Sequence, residues 1–111
     1  MDKLDNYRQY IKQLLKLYSQ YSKSDTEVEA QTIFDSENDH YQLVYVGWKN
    51  QRRVYGCVLH LDIKNEKIWI QHNGTEANIA DELVDLGVPK QDIVLGFHSP
   101  YKRQFTDFAV G

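Results

Sequence analysis

Apolar residues near the start of the chain recur three and four positions apart: Leu4, Tyr7, Ile11, Leu14, Tyr18 and Tyr21, with Leu15 widening the stripe. That spacing predicts an amphipathic helix over residues 2–21. Tyrosine fills half of the seam, a poor composition for an isolated coiled coil, so the helix is expected to pack on its own domain, with a partner helix as the alternative. The polar run "SKSDTE" at 22–27 ends it.

Beyond that run the period changes. Four segments, 28–34, 41–48, 53–63 and 67–71, are rich in β-branched and aromatic residues and are joined by the polar links "DSENDH", "KNQR" and "KNEK". They predict a four-stranded antiparallel meander, because no link between them can hold the helical crossover that parallel pairing requires. With Asn65 and Glu66 as the last turn, Ile63 faces Ile68 and Leu61 faces Ile70. Strict alternation then places Cys57, Leu59, Leu61, Ile63, Ile68 and Ile70 on one core face. A turn at Asn50 and Gln51 sets Val46 opposite Tyr55, Val44 opposite Cys57 and Tyr45 opposite Gly56, extending the same face through Val44 and Val46. The other face receives Tyr41, Leu43, Tyr45, Val54, Val58 and Trp69, which is too apolar to be wholly solvated. Either the two helices cover opposite faces, or one face meets a second subunit.

After the meander, Asn73 or Thr75 is placed to cap a second helix, with Glu76 in its first turn and Ile79, Ala80, Leu83 and Val84 as its buried stripe. Gly87 at a left-handed position, Val88 within reach of Leu83, and Pro89 close it in a Schellman arrangement. "DIVLGF" reads as a short buried strand followed by a tail. The expected fold is α+β: N-terminal amphipathic helix, four-stranded antiparallel meander sheet, second helix, short C-terminal strand and tail. It forms one domain over 1–111, with no internal repeat or linker.

Composition narrows the function classes. At 111 residues, 41% hydrophobic and 26% charged, the chain has ordinary globular composition. Thirteen Lys plus Arg against sixteen Asp plus Glu give a net charge of -3, a field that repels phosphates, so contact with DNA is expected to be indirect. A single cysteine, Cys57, excludes an internal disulfide and a cysteine-based zinc site. No apolar leader or membrane-length run is present, and a cytoplasmic protein is expected.

Candidate chemistry is sparse. His60 and Asp62, two apart on a strand, share a face and resemble a pair of metal ligands, with His72 as a third. The inferred register puts His72 opposite Leu59 on the core side, so these three converge only if a bulge intervenes, and no metal site is assigned. Asp35, Glu37 and Asp39 alternate like calcium ligands but lack the glycine and the closing glutamate of such a loop, and read as a solvated acidic turn. Cys57, expected in the core with no adjacent base, reads as a small hydrophobe. No repeated-glycine phosphate loop occurs. Catalytic, metal and cofactor residues are therefore assigned to none, and no small-molecule substrate is expected. Basic residues gather at Lys49, Arg52 and Arg53 beside Trp48, and at Lys102 and Arg103 beside Tyr101. The tail joins His98 and Arg103 to an apolar end, Phe105, Phe108, Ala109 and Val110, which needs burial in this subunit or a neighbour; docking accounts for it better than catalysis. Candidate interaction residues are Trp48, Arg52, Arg53, Trp69, His98, Tyr101, Arg103, Phe105 and Phe108.

Several stretches carry a resemblance: "YRQYIKQLL", "FDSENDHYQLVYVGW", "RRVYGCVLHLDI", "KIWIQ" leading to "GTE", and "GVPKQDIVLGFHSPYKRQFTDFAV". End to end, the chain resembles the fdxN element excision controlling factor XisI family of cyanobacteria. The resemblance implies a control factor in developmentally programmed, site-specific excision of a DNA element, acting with a companion protein of XisH type and a separate recombinase. It brings no catalytic residue set. The leading expectation is a non-enzymatic regulatory protein that binds a companion, with a homodimer or hetero-complex covering the second sheet face. The alternatives are a metal-assisted, nuclease-like or hydrolytic accessory enzyme using His60, Asp62 or His98, and direct DNA binding by Arg52, Arg53, Lys102 and Arg103.

Overall fold

The computed structural model describes residues 2–20 and 27–111. Tyr21 and most of the expected helix-ending run, residues 22–26, lie outside the described residues. Helix α1 spans Lys3–Ser19, capped by the Asp2 carboxylate, which accepts from the Leu4 amide at 3.3 Å. The strands are β1 (Val28–Asp35), β2 (His40–Lys49), β3 (Arg52–Lys64) and β4 (Lys67–Asn73). Helix α2 (Ile79–Leu86), a 3₁₀ turn (Lys90–Asp92), β5 (Ile93–Leu95) and the four-residue helix α3 (Pro100–Arg103) complete the chain. No helix among the described residues is long and apolar enough to cross a membrane.

The sheet has five strands in the order β1-β2-β3-β4-β5, not four. The first four pair antiparallel as the links dictate, while β5 pairs parallel to β4, with α2 lying in the connection between them. The two hairpin turns fall where expected. Asn50 and Gln51 (φ 50° and 67°) and Asn65 and Glu66 (φ 54° and 62°) all take positive φ, the geometry whose twist suits a two-residue hairpin. At the far end of the first hairpin, Trp48 N–H donates to Glu27 O at 3.1 Å, and a side chain on Gly47 would sit 2.1 Å from that oxygen. Only glycine fits there.

The predicted pairs Ile63 with Ile68, Leu61 with Ile70, Val44 with Cys57, Tyr45 with Gly56 and Val46 with Tyr55 all form. Their assignment to faces does not hold throughout. Leu43 pairs with Leu59 and Val44 with Cys57, which leaves Val58 as an unpaired extra residue, a β-bulge. Its carbonyl is not wasted, since the Gly74 amide donates to it at 2.7 Å. The extra residue reverses the facing of everything before it on β3. Tyr41 and Leu43, expected on the second face, are fully buried in the core with Leu59 and Leu61, and Tyr45 and Val58 pack against that core. Conversely Cys57, expected inside, is exposed together with Tyr55, and Val44 and Val46 are only half-buried.

One continuous core joins Tyr7, Ile11, Leu14 and Leu15 of α1, Ile79, Ala80 and Leu83 of α2, and the inner residues of all but the first strand. Both helices thus cover the same face. Hydroxyls at the helix seam secure the arrangement: Tyr7 donates to Asp92 at 2.5 Å, and Tyr18 donates to Glu82. Helix α2 is capped by Asn78 rather than by Asn73 or Thr75. Those two residues instead fold the approach into successive turns, with Thr75 N–H donating to Asn73 Oδ1 and Ala77 N–H to Thr75 Oγ1. The helix ends as predicted, with Gly87 at φ 118° and Val88 N–H donating to Leu83 O at 3.0 Å.

Among the described residues, the opposite face is covered only at one edge. There Trp69, Val94 and Ala109 form a second small apolar cluster, because the tail turns back along β5. Ala109 N–H donates to Ile93 O at 2.9 Å, and Val94 and Ala109 form an isolated parallel bridge.

Candidate functional site

With α1 and α2 on one side, none of the described residues covers the outer face from β1 to β3, which divides into an apolar half and a polar half. Val44, Val46, Trp48, Tyr55, Cys57 and Ile33 make up the apolar half. Trp48 is 51% exposed, Tyr55 76% and Ile33 47%, values that leave their rings and branches available for contact. The Arg53 guanidinium lies over both rings, 5.4 Å from the Trp48 centroid and 5.9 Å from that of Tyr55. Arg52 is exposed at the adjoining turn. The whole Cys57 residue is exposed and its sulfur lies 3.2 Å from Leu59 O, but partial desolvation of the sulfur outweighs that contact and raises the thiol pKa. That is the reverse of an activated nucleophile.

The polar half centres on Asp62. His40 lies directly across from it in the β2–β3 register, and His60 precedes it by two on the same strand. His40 Nδ1 is 2.9 Å and His60 Nε2 is 2.8 Å from the same oxygen, Asp62 Oδ1. The other oxygen accepts from Gln71 Nε2 at 3.2 Å, and Gln42 Nε2 lies 3.4 Å from His60 Nδ1. The hydrogen bond to Asp62, followed by that residue's charge, raises the pKa of His40. These side chains, with Ile33 and Asp35, line an open groove of about 430 Å³.

His40 is the member that sequence reasoning missed. A bulge does intervene at the His60–Asp62 end of the sheet, where Gln71 is the unpaired residue and His72 becomes the partner of His60 rather than of Leu59. His72 is nevertheless exposed and outside the converging set, which is His40, His60 and Asp62. The acidic turn also resolves into separate jobs. Asp35 accepts from the amides of Glu37 and Asn38 at 3.1 and 3.0 Å, folding the turn. Asp39, at φ 59°, receives Arg8 of α1 through two nitrogens at 2.8 and 3.2 Å and the Tyr41 hydroxyl at 2.8 Å. The Arg8 guanidinium holds the Asp39 carboxyl below the usual carboxylate range, and burial beside Asp39 pushes Tyr41 up to about 12.

The tail residues do not form a reactive group. Arg103 lies 5.1 Å from the Trp69 ring centroid, while Lys64 approaches the same ring at 4.7 Å. Its Nε donates to His98 O at 3.0 Å and its Nη1 to Val110 O at 3.4 Å, so it clasps the tail closed over Trp69, which is only 9% exposed. Ser99 caps α3 by accepting from Lys102 N–H at 3.3 Å. Phe108 packs against the main core, whereas Phe105 is exposed and meets Tyr101 edge to face at 5.3 Å. The imidazole of His98 packs against Phe97 at a tilt, with centroids 4.5 Å apart. The apolar end is therefore buried within its own subunit through Phe108 and Ala109, and Phe105 is left outside.

The model of the XisI protein family matches residues 1–110. The chain belongs to the XisI family. The fold agrees. A crystal structure of an XisI-like protein from Anabaena variabilis ATCC 29413 is 51% identical, with a TM-score of 0.92 over 97% of this chain and 99% of that one. The crystal structure of the fdxN element excision controlling factor XisI from the same organism is 40% identical, with a TM-score of 0.86 over 99% and 100%. No match was found among curated proteins. In this XisI-family chain the longest stretch behind the resemblance, "GVPKQDIVLGFHSPYKRQFTDFAV", is the C-cap of α2, the edge strand and the clasped tail. It records a way of closing the sheet edge.

Proposed function

We propose that this chain is a non-enzymatic control factor of the XisI type, which works by binding a companion protein of XisH type in regulated excision of a DNA element. Its kinship with a protein described as an excision controlling factor supports the biological setting. The observation that carries the binding mode is the apolar half of the outer face. A strand surface bearing Val44, Val46, Trp48 and Tyr55, rimmed by Arg52 and Arg53, has the aromatic and arginine composition of interaction hot spots. A second copy of the chain or the companion covers it, and contact with DNA comes through the assembly, as the net charge of -3 favours. Direct DNA binding draws less support, since Arg53 and Arg103 are both engaged with aromatic rings.

Light scattering on the chain alone and mixed with its co-encoded companion tests this reading. The expected result is an assembly larger than one chain that Trp48→Glu disrupts, weakening association by about thirtyfold or more, as loss of a central aromatic anchor does. A strict monomer under both conditions overturns it.

A further inference from the structure

The polar half of the outer face supports an inference that stands whether or not the apolar half takes a partner. We infer that His40, His60 and Asp62 form a binding site for a divalent transition-metal ion, with Zn²⁺ the best suited. Two imidazole nitrogens and one carboxylate oxygen from adjacent strands lie within 4.8 Å of one another. Both nitrogens point at Asp62 Oδ1, at 2.9 and 2.8 Å. Bonds of about 2.0–2.2 Å in a tetrahedral site put ligand atoms roughly 3.3 Å apart, so an ion fits after each imidazole withdraws by about half an ångström. The two nitrogens, within 4.8 Å of each other, have to reach that same spacing as the ion enters.

The surroundings are those a ligand set needs. Asp62, with a side chain 13% exposed, is fixed through its second oxygen by Gln71, which leaves Oδ1 directed at the imidazoles. Gln42 stands beside the Nδ1 of His60, the nitrogen that does not face the site, where its amide can set the ring tautomer. All the ligands sit on paired strands, so the geometry is rigid. Asp35, across from His40 on β1, has its oxygens committed to the turn and adds negative charge without coordinating. Two nitrogen donors select against Mg²⁺ and Ca²⁺, which take oxygen ligands, and in favour of Zn²⁺, Ni²⁺, Co²⁺ or Cu²⁺. With three protein ligands at the wall of an open groove, a fourth position faces outward for water or another donor.

Calorimetric titration of tag-free, metal-stripped protein with ZnCl₂ is the test, with visible d–d absorption of the Co²⁺ form as a second readout. The expected result is one saturable site per chain. His40→Ala, at a residue 59% exposed whose loss leaves the fold intact, weakens it at least tenfold. His60→Ala does the same, and His72→Ala leaves it unchanged. Absence of saturable binding, or affinity that survives both His40→Ala and His60→Ala, overturns the inference. Circular dichroism of each variant separates loss of a ligand from loss of the fold.

Discussion

Leu43 and Val44 are neighbours on β2, yet Leu43 is fully buried on the face that α1 and α2 cover while Val44 stands half-buried on the opposite one. The same contrast runs across the sheet. The helical face is a dry core of aliphatic and tyrosine side chains, and the tyrosine hydroxyls at its rim find carboxylates: Tyr7 with Asp92, Tyr41 with Asp39, Tyr18 with Glu82. On the outer face similar apolar residues stay open, except where the tail closes over Trp69. Amphipathic helices are the material this chain has for covering a sheet, and both are used on one side. What remains outside is available for recognition.

The widest separation between the faces is expected from paired truncations. Leu43→Ala should cost about 2–5 kcal/mol in denaturant unfolding, the range for emptying a packed leucine site, and Val44→Ala well under half as much. Equal costs would mean that the outer face is covered in solution as tightly as the inner one. A middle-sized effect is expected where the helical face is tied to the β1–β2 turn. Asp39→Asn keeps a residue that tolerates positive φ but removes the charge that Arg8 and Tyr41 address, and should cost about 1.5–3 kcal/mol at neutral pH. Because the folded carboxyl titrates below its unfolded value, this stabilisation is present above about pH 4 and lost as the pH falls through the folded pKa. The difference between wild type and variant should therefore close in acid, and a pH-independent difference would assign the cost to packing instead. The smallest effect is expected from Arg103→Ala, about 1 kcal/mol, with faster hydrogen exchange at the Ala109 amide as the clasp over Trp69 loosens. Unchanged exchange would show that the bridge to β5 holds the tail without the arginine.

Much of the fold was legible in the sequence because local chemistry decided it. Asn50–Gln51 and Asn65–Glu66 are short polar breaks between long strands, and they fixed the pairing partners of Val46, Tyr45, Leu61 and Ile63. The close of α2 followed from Gly87 and Val88. The starting residue of α2 did not, since Asn73, Thr75 and Asn78 are all competent caps within six residues and tertiary packing chose the last. The parallel docking of β5 had no local marker either. Three apolar residues signal burial without saying beside which strand. The candidate site was the hardest part. His60 and Asp62 were visible as a pair because one strand carries both, but His40 comes from a neighbouring strand and was read as part of a link. Likewise, Cys57 was placed inside because nothing in its residue type, or in that of Val58, announces that two residues there oppose one.

That bulge at Val58 has a consequence for how the chain tolerates change. Alternation along a strand has a phase as well as a period, and one unpaired residue shifts the phase of β3 between its two halves. Gly56 and Val58 thereby share an orientation with Leu59 and Leu61, while Tyr55 and Cys57 turn outward with His60 and Asp62. Substitution at Val58 alters one side chain. Deletion would make Cys57 the direct neighbour of Leu59, and plain alternation would then keep Leu59 inward and Tyr55 and Cys57 outward, so the strand would lose its bulge, and with it the carbonyl that Gly74 addresses, without exchanging its faces. The two halves of β3 already face as a regular strand one residue shorter would, and what the extra residue adds is a foothold for the turn that leaves β4.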